Sequence, residues 1–137
     1  MAGDLNQTLN VSAAGMDAQT QRLRVIAENI ANQDTTGSSP GAEPYRRKTI
    51  TFESTMDKAA GVQGVGVKNV GEDSSDLPLR YDPANPASNA QGYVKLPNVN
   101  IFVEMMDMRE AERSYSANVS VMQATRGMLN KTIDLLK

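Results

Sequence analysis

Two rows of apolar side chains, one towards each end of the chain, constrain its fold more than any other feature. Leu9, Met16, Leu23 and Ile30 recur every seven residues, so they fall along one stripe of an α-helix, and Ala13, Ala27 and Ile26 widen it. Ile101, Met108, Tyr115, Met122, Leu129 and Leu136 repeat the same spacing, with Met105, Val119 and Ile133 as a partial second row. All 6 prolines lie between Pro40 and Pro97, and most of the 10 glycines lie between Gly37 and Gly92. The flanks are nearly free of helix breakers and the centre is full of them. This predicts a helix over about 4–32 and a longer one over about 101–136.

The helix ends carry their own signals. Asp4 with Gln7 three residues later resembles a capping box, and Asn32 is suited to a left-handed C-cap before Gly37 and Pro40. Asn100 follows Pro97 as a good N-cap. Glu104 and Asp107 then fall in the early turns, and Lys131 and Lys137 near the end, an order that suits the helix dipole. Arg109–Glu112 and Glu110–Arg113 are spaced to form a solvated, salt-bridged face.

The centre reads as small β elements among long loops. Lys48 to Phe52, Gly64 to Val70 and Tyr93 to Leu96 alternate briefly, although glycine weakens the second. Asp82-Pro83-Ala84-Asn85-Pro86 is a turn or extended corner, because each proline restricts the residue before it. The fold class expected is therefore mainly α, with long terminal helices pairing as a coiled-coil-like core and a small, irregular, β-containing middle. Its parts are an N-terminal helix in 1–36, a loop and short-strand region over 37–99, and a C-terminal helix in 100–137.

Composition narrows the function. Histidine and cysteine are absent from the 137 residues, which excludes a Ser-His-Asp triad, a thiol nucleophile, a Cys/His zinc site and a disulfide framework. A net charge of −2 argues against nucleic acid as a partner. No catalytic, cofactor-binding or metal-ligating residue is singled out. Glu72, Asp73 and Asp76 lack EF-hand spacing, and Gly61 to Gly66 reads as a turn before a strand. Arg46-Arg47-Lys48 is the only basic run, too short for a membrane or nucleic-acid claim and better suited to solvation or an intersubunit contact. No segment reads as a transmembrane helix or signal peptide, so a cytosolic protein, or one exported without a cleaved signal, is expected.

Leu, Ile, Val and Phe make up only about a fifth of the chain, while 8 Met supply adaptable apolar surface. A lone helix in water is marginal, so each stripe must be covered. The two helices could cover each other as a hairpin. The C-terminal stripe, however, spans about 35 residues, roughly 53 Å at 1.5 Å per residue, and outruns its shorter partner. Surplus apolar surface favours packing against other subunits. Small residues at Ala13, Ala14, Gly15 and Ala27 would allow close helix approach.

Particular motifs add a resemblance. Gly15-Met16-Asp17-Ala18-Gln19, Arg22-Leu23, Asn29-Ile30-Ala31-Asn32 and Thr35 resemble the N-terminal signature of bacterial flagellar rod and hook proteins. Three further stretches narrow the resemblance to proximal rod subunits. They are Asp82-Pro83-Ala84-Asn85-Pro86, then Gly92-Tyr93-Val94-Lys95-Leu96-Pro97-Asn98-Val99-Asn100, and then Glu104-Met105-Met106-Asp107-Met108 with Ala111, Arg113, Tyr115 and Asn118. Two positions depart from that pattern: Ala14 stands where the family usually has Ser, and Asn85 where it usually has His.

The resemblance implies a structural subunit of the bacterial flagellar basal-body rod, part of a hollow shaft that crosses the periplasm, transmits torque and serves as an export channel. It implies no enzyme activity and no cofactor. It also implies homo- and hetero-oligomeric contacts with other proximal and distal rod proteins and with the basal-body adaptor at the membrane ring and export gate. Passage through the flagellar type III export apparatus, without nucleic acid or membrane insertion, is implied too. The two apolar rows would then be the assembly seams. A soluble helical-hairpin adaptor or export chaperone is the alternative the residues leave open.

Overall fold

The computed structural model describes residues 2–58 and 61–136. Chain order is α1 (Ala2–Ala31), β1 (Lys48–Asp57), β2 (Val62–Glu72), β3 (Leu79–Tyr81), β4 (Tyr93–Lys95) and α2 (Ile101–Leu135). The helices follow the apolar spacing, with 30 residues in α1 and 35 in α2. Their caps follow it less closely. Asp4 is already helical rather than the N-cap, and its carbonyl accepts the Thr8 hydroxyl at 2.9 Å. No described non-glycine residue has a positive φ, so Asn32 does not end α1 in a left-handed turn. Its N–H and Nδ2 instead both donate to the Glu28 carbonyl, at 3.1 and 2.9 Å, and its Oδ1 accepts the Thr35 hydroxyl at 3.1 Å. Asn100 caps α2 as expected, its Oδ1 accepting the N–H groups of Phe102 and Val103 at 3.0 and 3.4 Å. Lys137 lies outside the described residues.

The strands are longer and more numerous than local alternation suggests. β1 and β2 form one two-stranded sheet and β3 and β4 another. β1 runs on through Glu53 to Asp57, where its side chains are exposed, so no period-two burial marks that half. Gly61, with φ 67°, precedes β2, which then carries Gly64 and Gly66 within it.

Contacts divide the chain into two units. The first comprises Met1–Leu23, Thr51–Asn69 and Arg109–Lys137. Within it α1 and α2 run antiparallel, with Gly15 against Asn118 and Arg22 Nη2 3.6 Å from Glu110 Oε2. A Cβ built on Gly15 would sit 2.8 Å from Asn118 Nδ2, so any larger residue there displaces the Asn118 side chain. The side chains buried here are small: Ser12 and Ala18 on α1, Ala111 and Thr125 on α2. Of the small residues expected to permit close approach, Gly15 does so. Ala14 lies against Gly64 of β2, and Ala13 is exposed.

The second unit comprises Arg24–Ile50 and Val70–Met108. Its core holds Val25, Ile26, Ala87 and Val94, and Ala27 is exposed. β3 and β4 pair antiparallel with Leu79 opposite Lys95, Arg80 opposite Val94 and Tyr81 opposite Tyr93. The Tyr81 and Tyr93 rings meet edge-on at 5.4 Å. Gly92, with φ 85°, lets the chain turn beneath Tyr81, whose ring would lie 2.8 Å from a Cβ there. The Pro-rich corner is a turn held by Asn85. Its N–H donates to the Asp82 carbonyl at 3.2 Å, its Oδ1 accepts the Ala87 N–H at 2.9 Å, and its Nδ2 reaches Thr36 Oγ1 at 3.4 Å.

Candidate functional site

The buried polar chemistry of the second unit centres on Asn29, which is 1 % exposed. Its amide uses both ends twice. Oδ1 accepts the Lys48 N–H and the Tyr45 hydroxyl, each at 2.8 Å. Nδ2 donates to the Lys48 carbonyl at 2.9 Å and to Glu104 Oε2 at 3.2 Å. One side chain from α1 thus occupies the ladder position that a neighbouring strand would take beside β1, and joins it to the first turn of α2. An amide suits this role because it carries donors and acceptors on one flat group.

Glu104 is fully buried and bonds through its other oxygen to Arg47 Nε. Arg47 also faces Asp73 at 3.7 Å and Asp107 at 3.6 Å. A buried carboxylate is costly unless paired and hydrogen-bonded, and here it is both. Asn98 repeats the Asn29 device on the next segment. Its Oδ1 accepts the Arg47 N–H at 2.8 Å, and its Nδ2 donates to the carbonyl of Asp73 at 3.0 Å and to Ser75 Oγ at 2.9 Å. Two asparagines and one ion pair therefore lock together α1, β1, the segment after β2 and α2.

The surrounding charges follow from these contacts. Burial lowers the Arg47 pKa, but the hydrogen bond to Glu104 and the charges of Glu104, Asp73 and Asp107 outweigh it and hold the guanidinium above its ordinary value. Burial pushes the Tyr45 phenol upward against the pull of Lys48. Glu28, 2.7 Å from Lys48 Nζ, holds that ammonium above its usual range. Hydrogen bonds from Ser75, and then the charges of Arg47 and Arg46, keep Asp73 below the usual carboxylate range. The basic run 46–48, expected to be solvated or intersubunit, is instead spent on intrachain ion pairs: Arg46 with Glu43, Arg47 with Glu104, Lys48 with Glu28. Among the described residues no cluster of three or more acidic side chains is placed to hold a metal ion. No described helix is long and apolar enough to cross a membrane.

The apolar rows lie elsewhere. Leu9, Met16, Leu23 and Ile30 are half-buried on α1, and Ile26 is buried. On α2, Ile101, Met108, Val119, Met122 and Leu129 are half-buried, while Met105, Tyr115 and Ile133, and Leu136 just beyond the helix, are exposed. What α2 buries best is a different row with the same seven-residue spacing: Glu104, Ala111 and Thr125, with half-buried Asn118 between the last two. That row is legible as a spacing but not as a hydrophobic one, which is why the apolar pattern passes over it. The signal that could have exposed Asn29 is its place between Ile26 and Ile30, an uncompensated amide among apolar neighbours.

Several residues of the family resemblance have structural duties. Gly15 and Asn118 set the helix approach, Asn29 and Asn98 form the clamp, Asn32 and Asn100 terminate helices, and Tyr93 meets Tyr81 edge-on. Asp82 and Asn85 form the corner with Pro83 and Pro86, Pro97 is buried, and Ala31 closes α1 beside Ile30.

Comparison with known proteins agrees. The profile described as "Flagella basal body rod protein" matches residues 9–37, and that described as "Flagellar basal body rod FlgEFG protein C-terminal" matches residues 90–135. The flagellar basal-body rod protein FlgC of Agrobacterium fabrum is 51% identical over 97% of this chain and 96% of its own length. The proteins of that name from Bacillus subtilis and Borreliella burgdorferi are 41% and 38% identical, over 95% and 97% of this chain and 97% and 98% of their own. Identity of this extent, on a fold whose signature residues carry the helix approach and the clamp, shows that the chain belongs to the FlgC family of flagellar basal-body rod proteins, structural subunits of the rod.

Proposed function

We propose that the chain builds the proximal part of a hollow rod that transmits torque and passes exported subunits along its bore. The observation that carries this is the mismatch between what the helices bury and what they display. Small and polar side chains fill the intrachain contact, while Tyr115, Met105, Ile133 and Leu136 stay exposed. Large exposed apolar rows on paired helices are surfaces for neighbours. The seams are Leu9, Met16, Leu23 and Ile30 on α1, with Ile101, Met105, Met108, Tyr115, Val119, Met122, Leu129 and Ile133 on α2 and Leu136 just beyond it; Ile26, of the same stripe, is buried in the second unit. Segments 1–36 and 100–137 form the core of the tube wall, and 37–99 its outer layer. Long helices packed along the axis supply the stiffness a drive shaft needs.

The partners are further rod subunits, proximal and distal, and the adaptor joining the rod to the membrane ring and export gate. The chain reaches the periplasm unfolded, through the flagellar type III apparatus, without cleavage. Leu23→Asp, Met122→Asp and Ile133→Asp test the seams. Ile133 is already exposed, so its variant should keep the circular dichroism of the parent chain yet fail to support motility. Normal rods in all three variants would refute the seam assignment.

A further inference from the structure

The first turns of α2 carry apolar side chains on the outside. Glu104 is fully buried in the clamp, while Phe102, Val103, Met105 and Met106 around it are exposed. Helix geometry is the cause. Each residue advances about 100° round the axis, so holding Glu104 inward turns Met106, two places on, nearly to the opposite side. Met106 is 71 % exposed, the most of any described methionine. Met56, Met128 and Met105 follow it, and Met16, Met108 and Met122 are half-buried.

An exposed thioether reacts with hydrogen peroxide without enzyme or metal. The sulfur lone pair attacks one peroxide oxygen, an S–O bond forms, and the O–O bond breaks. The departing hydroxide takes the proton of the oxygen that sulfur keeps. Sulfur has then lost two electrons, and the peroxide is reduced to water. A polar, chiral sulfoxide stands where a flexible apolar side chain stood. At Met106 this happens beside Phe102, four residues earlier on the same helical face, and next to Met105 of the apolar row.

We infer that Met106 is an oxidation-sensitive site of the free subunit, at which hydrogen peroxide turns an apolar surface polar and so keeps the oxidised chain out of the rod. The consequence rests on the rod-subunit reading; the order in which the methionines oxidise does not. None of the clamp hydrogen bonds involves Met106, so the oxidised chain keeps its fold.

Peroxide treatment of the purified full chain, mapped residue by residue with mass spectrometry, tests the site. Met106 should gain oxygen about fivefold or more faster than Met16, Met108 and Met122, with unchanged circular dichroism. Equal rates at all of these, or helicity lost as Met106 oxidises, would overturn it. The consequence is read in cells whose only copy of the chain is induced under sublethal peroxide. Basal bodies should become several-fold fewer with the parent chain and with Met56→Leu/Met128→Leu. Met106→Leu, which keeps the volume and removes the sulfur, should abolish most of that loss. Without peroxide, Met106→Gln, a polar stand-in for the sulfoxide, should lower the count while keeping the parent circular dichroism. An equal loss in parent and Met106→Leu, a loss that follows Met56 and Met128 instead, or full counts with Met106→Gln would each refute the switch. A parent chain absent from the basal bodies of unstressed cells would defeat the rod reading, and the oxidation order would still stand or fall on the mass spectra.

Discussion

Replacing Asn29 by aspartate is the most informative perturbation of the clamp, because it preserves shape while changing one group. The acceptor oxygen that serves Lys48 N–H and the Tyr45 hydroxyl survives. The donor to the Lys48 carbonyl and to Glu104 is lost, and a second carboxylate oxygen takes its place 3.2 Å from Glu104 Oε2. Two unit charges at that separation repel by about 5 kcal/mol at an effective dielectric of about 20. The lost hydrogen bonds add about 1 kcal/mol each. Relaxation and proton uptake will absorb part of this, so a net loss of about 3–5 kcal/mol is expected, a large share of the stability of an ordinary domain.

Asn29→Ala removes all four bonds without adding charge, and should cost about 3–4 kcal/mol at about 1 kcal/mol per bond. Glu104→Gln removes the opposing charge, so Asn29→Asp should cost much less in the Glu104→Gln background than in the parent, although Glu104→Gln alone also loses the ion pair with Arg47. Urea unfolding of the purified chain, followed by circular dichroism, measures all three. Parent-like stability in Asn29→Asp, or the same cost of Asn29→Asp in the parent and in the Glu104→Gln background, would refute the clamp.

Gly15→Val should destabilise by about 2 kcal/mol, because the added side chain meets Asn118 inside a closed contact, and Asn118→Ala should recover most of that in the same unfolding assay. On the acid side, Asp73 and Glu43 are held below their ordinary values of 3.8 and 4.5, by Ser75 hydrogen bonds and by Lys95 respectively. Their contribution is therefore present above those values and lost as pH falls through the lower folded ones, so Asp73→Asn should flatten the acid limb of stability against pH. Tyr45 is held above 10.0 by burial, so its contribution is complete below that value and lost as pH rises through the higher folded one. Tyr45→Phe should remove a late component of the tyrosinate absorbance titration and cost about 1 kcal/mol for the bond to Asn29.

The two helices were legible because their information is local. Leu9 to Ile30 and Ile101 to Leu136 repeat within two turns of each other, and Asn100 caps its own neighbours. The corner at Asn85 was legible for the same reason, since its bonds to Asp82 and Ala87 span only two or three residues. β3 and β1 beyond Phe52 left no trace because all of their side chains are exposed, whereas the equally short β4 buries Val94 between two exposed neighbours.

The clamp lay outside that reach. Glu104 reads locally as an acid that favours the start of a helix, and Arg47 as one member of a solvated basic run. In the folded chain they are partners, and Asn29 reaches β1 across 19 residues and Glu104 across 75. Periodicity reports which face of an element is greasy, because neighbouring side chains share a helix or strand. It cannot report which buried polar group will meet which, because that pairing exists only once distant segments have been brought together and water has been excluded from between them.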